Sequence, residues 1–241
     1  MPMGAVAARD LAYGYGGAEM LGRFFMPEGQ GERPGILVLH GAHGLDGFIL
    51  SRAECLAGFG HAVLAVDLWG GRELISDPAA IGPRLGAFAG HRDMWMGRIE
   101  AARAALIAQP GVDNSRIGAL GYCFGGTGVL EFARKGGALK GVVSFHGGLD
   151  MVEDDWSGQA GASVLVCTGA ADPMARQEDR LRVEAGMSAA NVAWETNLYG
   201  GAKHAFTEPD RPGQPPFAGF DARAERRSWA AMRKFFQDVL A

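Results

Sequence analysis

Along the chain, short runs that are apolar at every position alternate with longer amphipathic stretches. Ile36-Leu37-Val38-Leu39 ends at His40-Gly41, and Ala62 to Val66 ends at Asp67. A strand with one wet face alternates apolar and polar residues, so unbroken runs predict central strands covered on both faces. Arg116 to Tyr122, Val142 to Phe145, Val164 to Cys167 and Val192 to Tyr199 read as further strands. Leu50 to Phe59, Met94 to Ala108, Gly126 to Lys135, Met174 to Met187 and Glu225 to Leu240 read as helices. Gly60 stops the first and Pro110-Gly111 the second. In the last, Trp229, Met232, Phe235 and Phe236 are spaced for one apolar stripe. Leu11 to Tyr15 and Leu21 to Met26 predict an antiparallel hairpin at a sheet edge. Residues 70–93 and 207–220, rich in Gly and Pro, read as irregular segments flanking strand ends. Strands alternating with helices of about 10–15 residues place the chain in the α/β class, a mostly parallel central sheet with helices on both faces. Ligands of such sheets lie beyond the carboxyl ends of the strands.

The 241 residues contain no long Ser- or Pro-rich linker and no repeat, which predicts a single domain over 1–241. With 48% hydrophobic residues the chain is rich enough in apolar side chains to bury a core, which excludes a disordered protein. Acidic residues outnumber basic ones by 27 to 23, against the basic excess expected of a nucleic-acid partner. The apolar runs fall far short of the roughly 20 residues that span a bilayer, so no membrane partner is expected. Met1-Pro2-Met3-Gly4-Ala5-Val6 lacks the basic, then apolar, pattern of a secretory signal. Cys55, Cys123 and Cys167 are too few for a disulfide framework and fit a reducing compartment, so the expected location is cytoplasmic. The oligomeric state is left open.

Gly121-Tyr122-Cys123-Phe124-Gly125-Gly126 falls between a predicted strand and a predicted helix. A sharp strand-to-helix turn lifts its central side chain above the sheet, and needs small residues two before and two after it. Gly121 and Gly125 supply these. A thiolate at Cys123 faces a helix N-terminus, which favours negative charge, and the Phe124 amide can serve an oxyanion. Cys55 and Cys167 lack this frame and read as structural. A base and an orienting acid are required next, in the order nucleophile, acid, histidine. Asp172 follows the strand ending at Cys167, and His204 follows the last strand as the sole histidine beyond Asp172. The glycine-rich loop from His40 to Leu45 is the expected source of the second oxyanion donor, assigned to the Ala42 amide. His40 reads as a loop-shaping hydrogen bonder, His43 as a pocket candidate and His146 as structural. No histidine or cysteine has a strong metal-ligand spacing, so neither a metal nor another cofactor is expected.

On these residues the chain resembles the dienelactone hydrolase family of the α/β-hydrolase fold. The likeness is carried by Gly121 to Gly126, Gly169 to Pro173, His204-Ala205-Phe206-Thr207, the His40-to-Leu45 loop, Asp67-Leu68-Trp69-Gly70 and Asp221 to Trp229, and runs from about residue 10 to the end. It implies a triad with Cys123 as nucleophile, His204 as general base then acid, and Asp172 orienting the imidazole. Two positions depart from the pattern. Gly41 stands where the family carries a glutamate that helps ionise the thiol, and Glu208 where it carries an arginine that holds a substrate carboxylate. An anion at 208 repels a carboxylated lactone, with Arg84 or Arg92 as substitute cations, so a neutral ester or lactone is the expected small-molecule substrate. Gly41, His43, Trp69, Phe206 and Glu208 are the candidate substrate contacts, with Trp156 as a further aromatic. Two other readings are open: a binding or redox-sensing member without turnover, although no resolving cysteine lies nearby, and a cysteine-elbow amidohydrolase, although His204 is followed by Ala205-Phe206 rather than by the His-x-Glu pair that chemistry uses.

Overall fold

The computed structural model describes residues 4–241; of the N-terminal segment read above for a signal, Met1 to Met3 lie outside the described residues. The chain divides into two compact units, one ending at Ala119 and one running Leu120–Ala241. The first begins with β1 (Val6–Tyr15) and β2 (Ala18–Pro27), an antiparallel hairpin in full register from Val6 opposite Pro27 to Tyr15 opposite Ala18. Gly16 and Gly17 both take positive φ in its two-residue turn, the conformation that matches the twist of the strands. β3 (Arg33–Leu39), α1 (Gly47–Gly58) and β4 (Ala62–Val66) follow, with β3 and β4 parallel and β2 antiparallel to β4. Asp46 caps α1 by accepting the Ile49 N–H. Every residue of β4 is buried, which in a strand means that both faces are covered, as the unbroken apolar run predicts. Then come α2 (Pro78–Gly90), α3 (Arg92–Ile107) and β5 (Val112–Tyr122), within which the unit boundary falls.

The second unit continues with α4 (Phe124–Arg134), β6 (Gly141–Phe145), a 3₁₀ turn at Leu149–Met151, β7 (Ser163–Gly169), α5 (Gln177–Ala189), β8 (Trp194–Tyr199) and α6 (Ala222–Val239). β6, β7 and β8 are successive parallel neighbours. Neighbouring strands follow the order β1-β2-β4-β3-β5-β6-β7-β8, so the sheet is mostly parallel. Every residue of α4 is buried, so the helix behind the glycine-framed cysteine is a core element, packed on β6. Buried within it, Arg134 holds both carboxylate oxygens of Glu131, at 2.8 and 2.9 Å, and reaches Glu153.

Three expectations need correction. Residues 78–90 form a helix where Gly and Pro suggested irregular chain: Pro78 sits in the first turn, where its missing N–H costs nothing, and the Asp77 side chain caps the Ala79 N–H. The buried face of α6 is Ala224, Ser228, Met232 and Phe236, a spacing of four, while Trp229 and Phe235 lie at its margin. Cys55 is half-buried rather than core, whereas Cys167 is buried, and burial pushes its thiol up to about 12. Among the described residues no helix is long and apolar enough to cross a membrane.

Candidate active site

Cys123 lies between the end of β5 and the first residue of α4, with φ +52° and ψ −118°. A non-glycine residue there is strained, and what fixes it is the lack of room around it. A Cβ on Gly121 would meet the Gly125 carbonyl oxygen at 2.0 Å, so nothing larger than hydrogen fits where the turn crosses itself. The Cys123 N–H is held by the Phe145 carbonyl at 3.0 Å and by His146 Nδ1 at 3.2 Å. Its carbonyl accepts from Thr127 N, so Cys123 is the N-cap of α4 and its sulfur stands at the positive end of the helix dipole. Phe124 opens α4, where the first N–H groups point out of the helix end.

His204 follows β8, held by its own backbone: its N–H donates to Phe217 O and its carbonyl accepts from Gly219 N. This pairing folds the irregular segment 207–220 back over the histidine, and a bridge to Ala218 completes it. Asp172 follows β7 in a turn whose Asp172 N–H donates to Gly169 O. The two loops are joined by the Ala171 N–H donating to Ala202 O. The three side chains form one row. His204 Nδ1 is 2.8 Å from Asp172 Oδ2, and His204 Nε2 is 3.1 Å from Cys123 Sγ. The second carboxylate oxygen of Asp172 accepts from Met174 N at 2.9 Å. Asp172 and His204 are 3% and 5% exposed, so little water screens the pair. Burial works against an imidazolium at His204, but the negative sulfur of Cys123 and the hydrogen bond to Asp172 outweigh it and hold the ring well above its ordinary range. Sulfur, imidazole and carboxylate so aligned can shuttle one proton between thiol and leaving group.

The remaining candidates are placed less uniformly. Phe124 is buried at the start of α4. Glu208 has its carboxylate 3.4 Å from Arg211 and 4.0 Å from His146 Nε2. Phe206 is fully buried, edge-on to His146 and tilted on Tyr199; it is core packing and offers no face to a substrate. Trp156 is buried likewise. In the first unit, Gly41, Ala42 and His43 are half-buried, and His43 Nδ1 donates to Ile75 O. Trp69 is 5% exposed, edge-on to His40 and Phe88, which makes it packing rather than a contact surface. Arg84 is bound to Glu73 at 2.9 Å and lies over the Trp69 ring, so its charge is already paired. His40 shapes its loop as expected: Nδ1–H donates to Gly41 O and Nε2 accepts from Leu68 N. His146, read from the sequence as structural, is hydrogen-bonded to Thr207 at 2.7 Å beside the row, a pairing the sequence did not single out. The position of His146 directly after a strand was the only signal.

Known proteins resemble this chain in sequence and in fold. A dienelactone hydrolase-like promiscuous phosphotriesterase from metagenomic libraries superposes with a TM-score of 0.93 at 37% identity, covering 99% of this chain and all of the other. An uncharacterized protein of Caenorhabditis elegans is 36% identical over 156 residues, 60% of this chain and 93% of that one. A probable 2-oxo-3-(5-oxofuran-2-ylidene)propanoate lactonase of Bradyrhizobium sp. is 26% identical over 218 residues, 87% of this chain and 88% of its own. The model of the dienelactone hydrolase family matches residues 20–240, a span that contains the glycine-framed cysteine, the acid and the histidine. An elbow cysteine after β5, an acid after β7 and a histidine after β8, on a mostly parallel sheet and under a match of that extent, make this chain a hydrolase of the dienelactone hydrolase family, with the α/β-hydrolase fold.

Proposed function

We propose that the chain acts as one catalytic domain that hydrolyses neutral carboxylic esters or lactones through a Cys123 thioester. The observation that carries this is the row from sulfur to carboxylate, at 3.1 and 2.8 Å. The Cys123 thiolate attacks the carbonyl carbon, forming a C–S bond; collapse of the tetrahedral intermediate breaks the C–O bond. The Phe124 amide donates to the oxyanion. The His204 imidazolium, holding the proton from the thiol at Nε2, gives it to the leaving alkoxide. Water then attacks the thioester with His204 as base, and the proton returns to the departing sulfur. Asp172 keeps Nδ1–H pointing away from the sulfur, so that Nε2 is the working nitrogen.

Neutral substrates are favoured by Glu208, whose carboxylate stands four residues after the base and near His146. Its partner Arg211 is satisfied by that contact, which lowers its value to a substrate carboxylate. The lactonase among the relatives supports a lactone ring as one substrate form, and the phosphotriesterase supports a site that accepts more than one electrophile. Three free cysteines fit a reducing, cytoplasmic setting. The test is hydrolysis of p-nitrophenyl acetate, a small lactone and a neutral phosphotriester by wild type and Cys123→Ala. Wild-type turnover of the ester or lactone, an acetyl group trapped on Cys123, and loss of turnover in Cys123→Ala are expected. Undiminished ester hydrolysis by Cys123→Ala would overturn the proposal.

A further inference from the structure

His146 takes no part in the proton transfers just described, yet it contacts both Cys123 and His204. It follows β6 directly, is fully buried and has φ +39°, a second strained residue facing the elbow. Its backbone N–H is fixed to Cys167 O at 2.8 Å. One ring nitrogen, Nδ1, accepts the backbone N–H of Cys123 at 3.2 Å. That contact leaves the ring proton on Nε2, which donates to Thr207 Oγ1 at 2.7 Å. Thr207 is buried, three residues beyond the base. The ring also stands edge-on to His204, centroids 5.4 Å apart at 70°.

We propose that His146 is a positioning residue for the hydrolytic reaction: a rigid neutral ring that spans from the peptide of the nucleophile to the loop of the base and thereby sets the distance from Cys123 Sγ to His204 Nε2. The proposal rests on the Cys123–His204–Asp172 reading above. Its logic is mechanical. The sulfur belongs to the junction of β5 and α4, and the imidazole to a loop after β8; both elements have their own backbone contacts, and the ring bonds the two together. The ring must be neutral to do so. The polar and titratable groups that face it are Cys123, Tyr122, His204, Thr207 and Glu208, with the Phe206 ring edge-on to it. A second proton would remove the bond from the Cys123 N–H to the ring, leaving that N–H to the Phe145 carbonyl alone, and set a like charge beside His204. Burial and that neighbouring charge both push His146 well below the ordinary imidazole range.

The experiment compares wild type, Thr207→Val, Thr207→Ser and His146→Phe in three readouts: kcat and KM for p-nitrophenyl acetate, the pH profile of Cys123 alkylation by iodoacetamide, and Tm. Thr207→Val removes the Nε2–H acceptor at nearly constant volume. Loss of one hydrogen bond predicts a fall in kcat of about tenfold, with KM little changed and the alkylation profile moved to the alkaline side. Thr207→Ser restores both. His146→Phe, if it folds, gives the larger loss; if it does not, the threonine pair decides. Cys123→Ala in the same assay separates the two readings. If Cys123→Ala is dead while Thr207→Val keeps the wild-type kcat and alkylation profile, with only Tm lowered, the positioning role is refuted and the triad stands. If Cys123→Ala retains turnover, the triad itself falls.

Discussion

Replacing Asp172 with Asn keeps the shape of the site and inverts its proton logic. Asp172 uses one oxygen for His204 Nδ1 at 2.8 Å and the other for the Met174 N–H at 2.9 Å. An asparagine oxygen satisfies Met174 as before, which fixes the amide and points its NH₂ group at Nδ1. The ring then has to carry its proton on Nε2, facing the sulfur, and cannot take one from it. The charge lost is large because both partners are buried, 3% and 5% exposed. Unit charges about 4 Å apart attract by about 4 kcal/mol at an effective dielectric of about 20, and breaking one side of a buried pair typically costs about 3–5 kcal/mol. At about 1.4 kcal/mol per decade the rate should fall by about 10³. The assay is kcat/KM for p-nitrophenyl acetate together with the alkylation rate of Cys123 across pH. The imidazolium that Asp172 and the sulfur hold together would deprotonate at lower pH in the variant. A well-folded Asp172→Asn enzyme within threefold of wild type would refute the orienting role.

Gly121→Ala places a methyl carbon 2.0 Å from the Gly125 carbonyl; overpacking of about 3 kcal/mol or more is expected, seen as a lowered Tm and an inactive elbow. Arg134→Ala strands the buried Glu131 carboxylate, costing about 3–5 kcal/mol in urea unfolding; Arg134→Met with Glu131→Leu should recover most of it. Burial lowers the pKa of His40, His61 and His146, that of His61 to about 4. Their unfolded forms bind protons first, so each contributes stability that is complete above about pH 6.5 and is lost as the pH falls below it, by about 1.4 kcal/mol per pH unit. His61→Asn should flatten the unfolding free energy between about pH 6.5 and 4, and an unchanged slope would show that His61 is charged in the native state.

The parts of this protein that a reader of the sequence can find are those whose physics is local. An unbroken apolar run such as Ala62 to Val66 has its bounds in its own residues, and the structure reproduces them without a shift. Gly121 announces a junction because nothing larger fits where the turn crosses itself, and it frames Cys123. Asp172 and His204 were legible only through chain order, since nothing in their flanks says that their loops meet. Residues 78–90 misled because Pro and Gly were counted as breakers, when Pro78 after Asp77 is a helix start. The aromatic candidates Trp69 and Phe206 misled for the opposite reason: an apolar ring near a strand end serves a core and a pocket equally well, and only burial separates the two.

His146 was read only as structural, and its bond to Thr207 was not legible, for a further reason that bears on how the site works. Of five non-glycine residues with positive φ among those described, three are Cys123, His146 and Ala205: the proposed nucleophile, the ring bonded to its N–H and the neighbour of the proposed base. Each such conformation costs on the order of 1–3 kcal/mol and persists only where surrounding contacts over-determine it. Local preference alone does not place a left-handed residue at 146, because the gain that outweighs its strain lies in bonds to residues 23 and 61 positions away. Strain at Cys123 and at His146, held by tertiary bonds rather than by local preference, is what a preorganised nucleophile requires: the geometry is imposed during folding, and the substrate does not have to supply it.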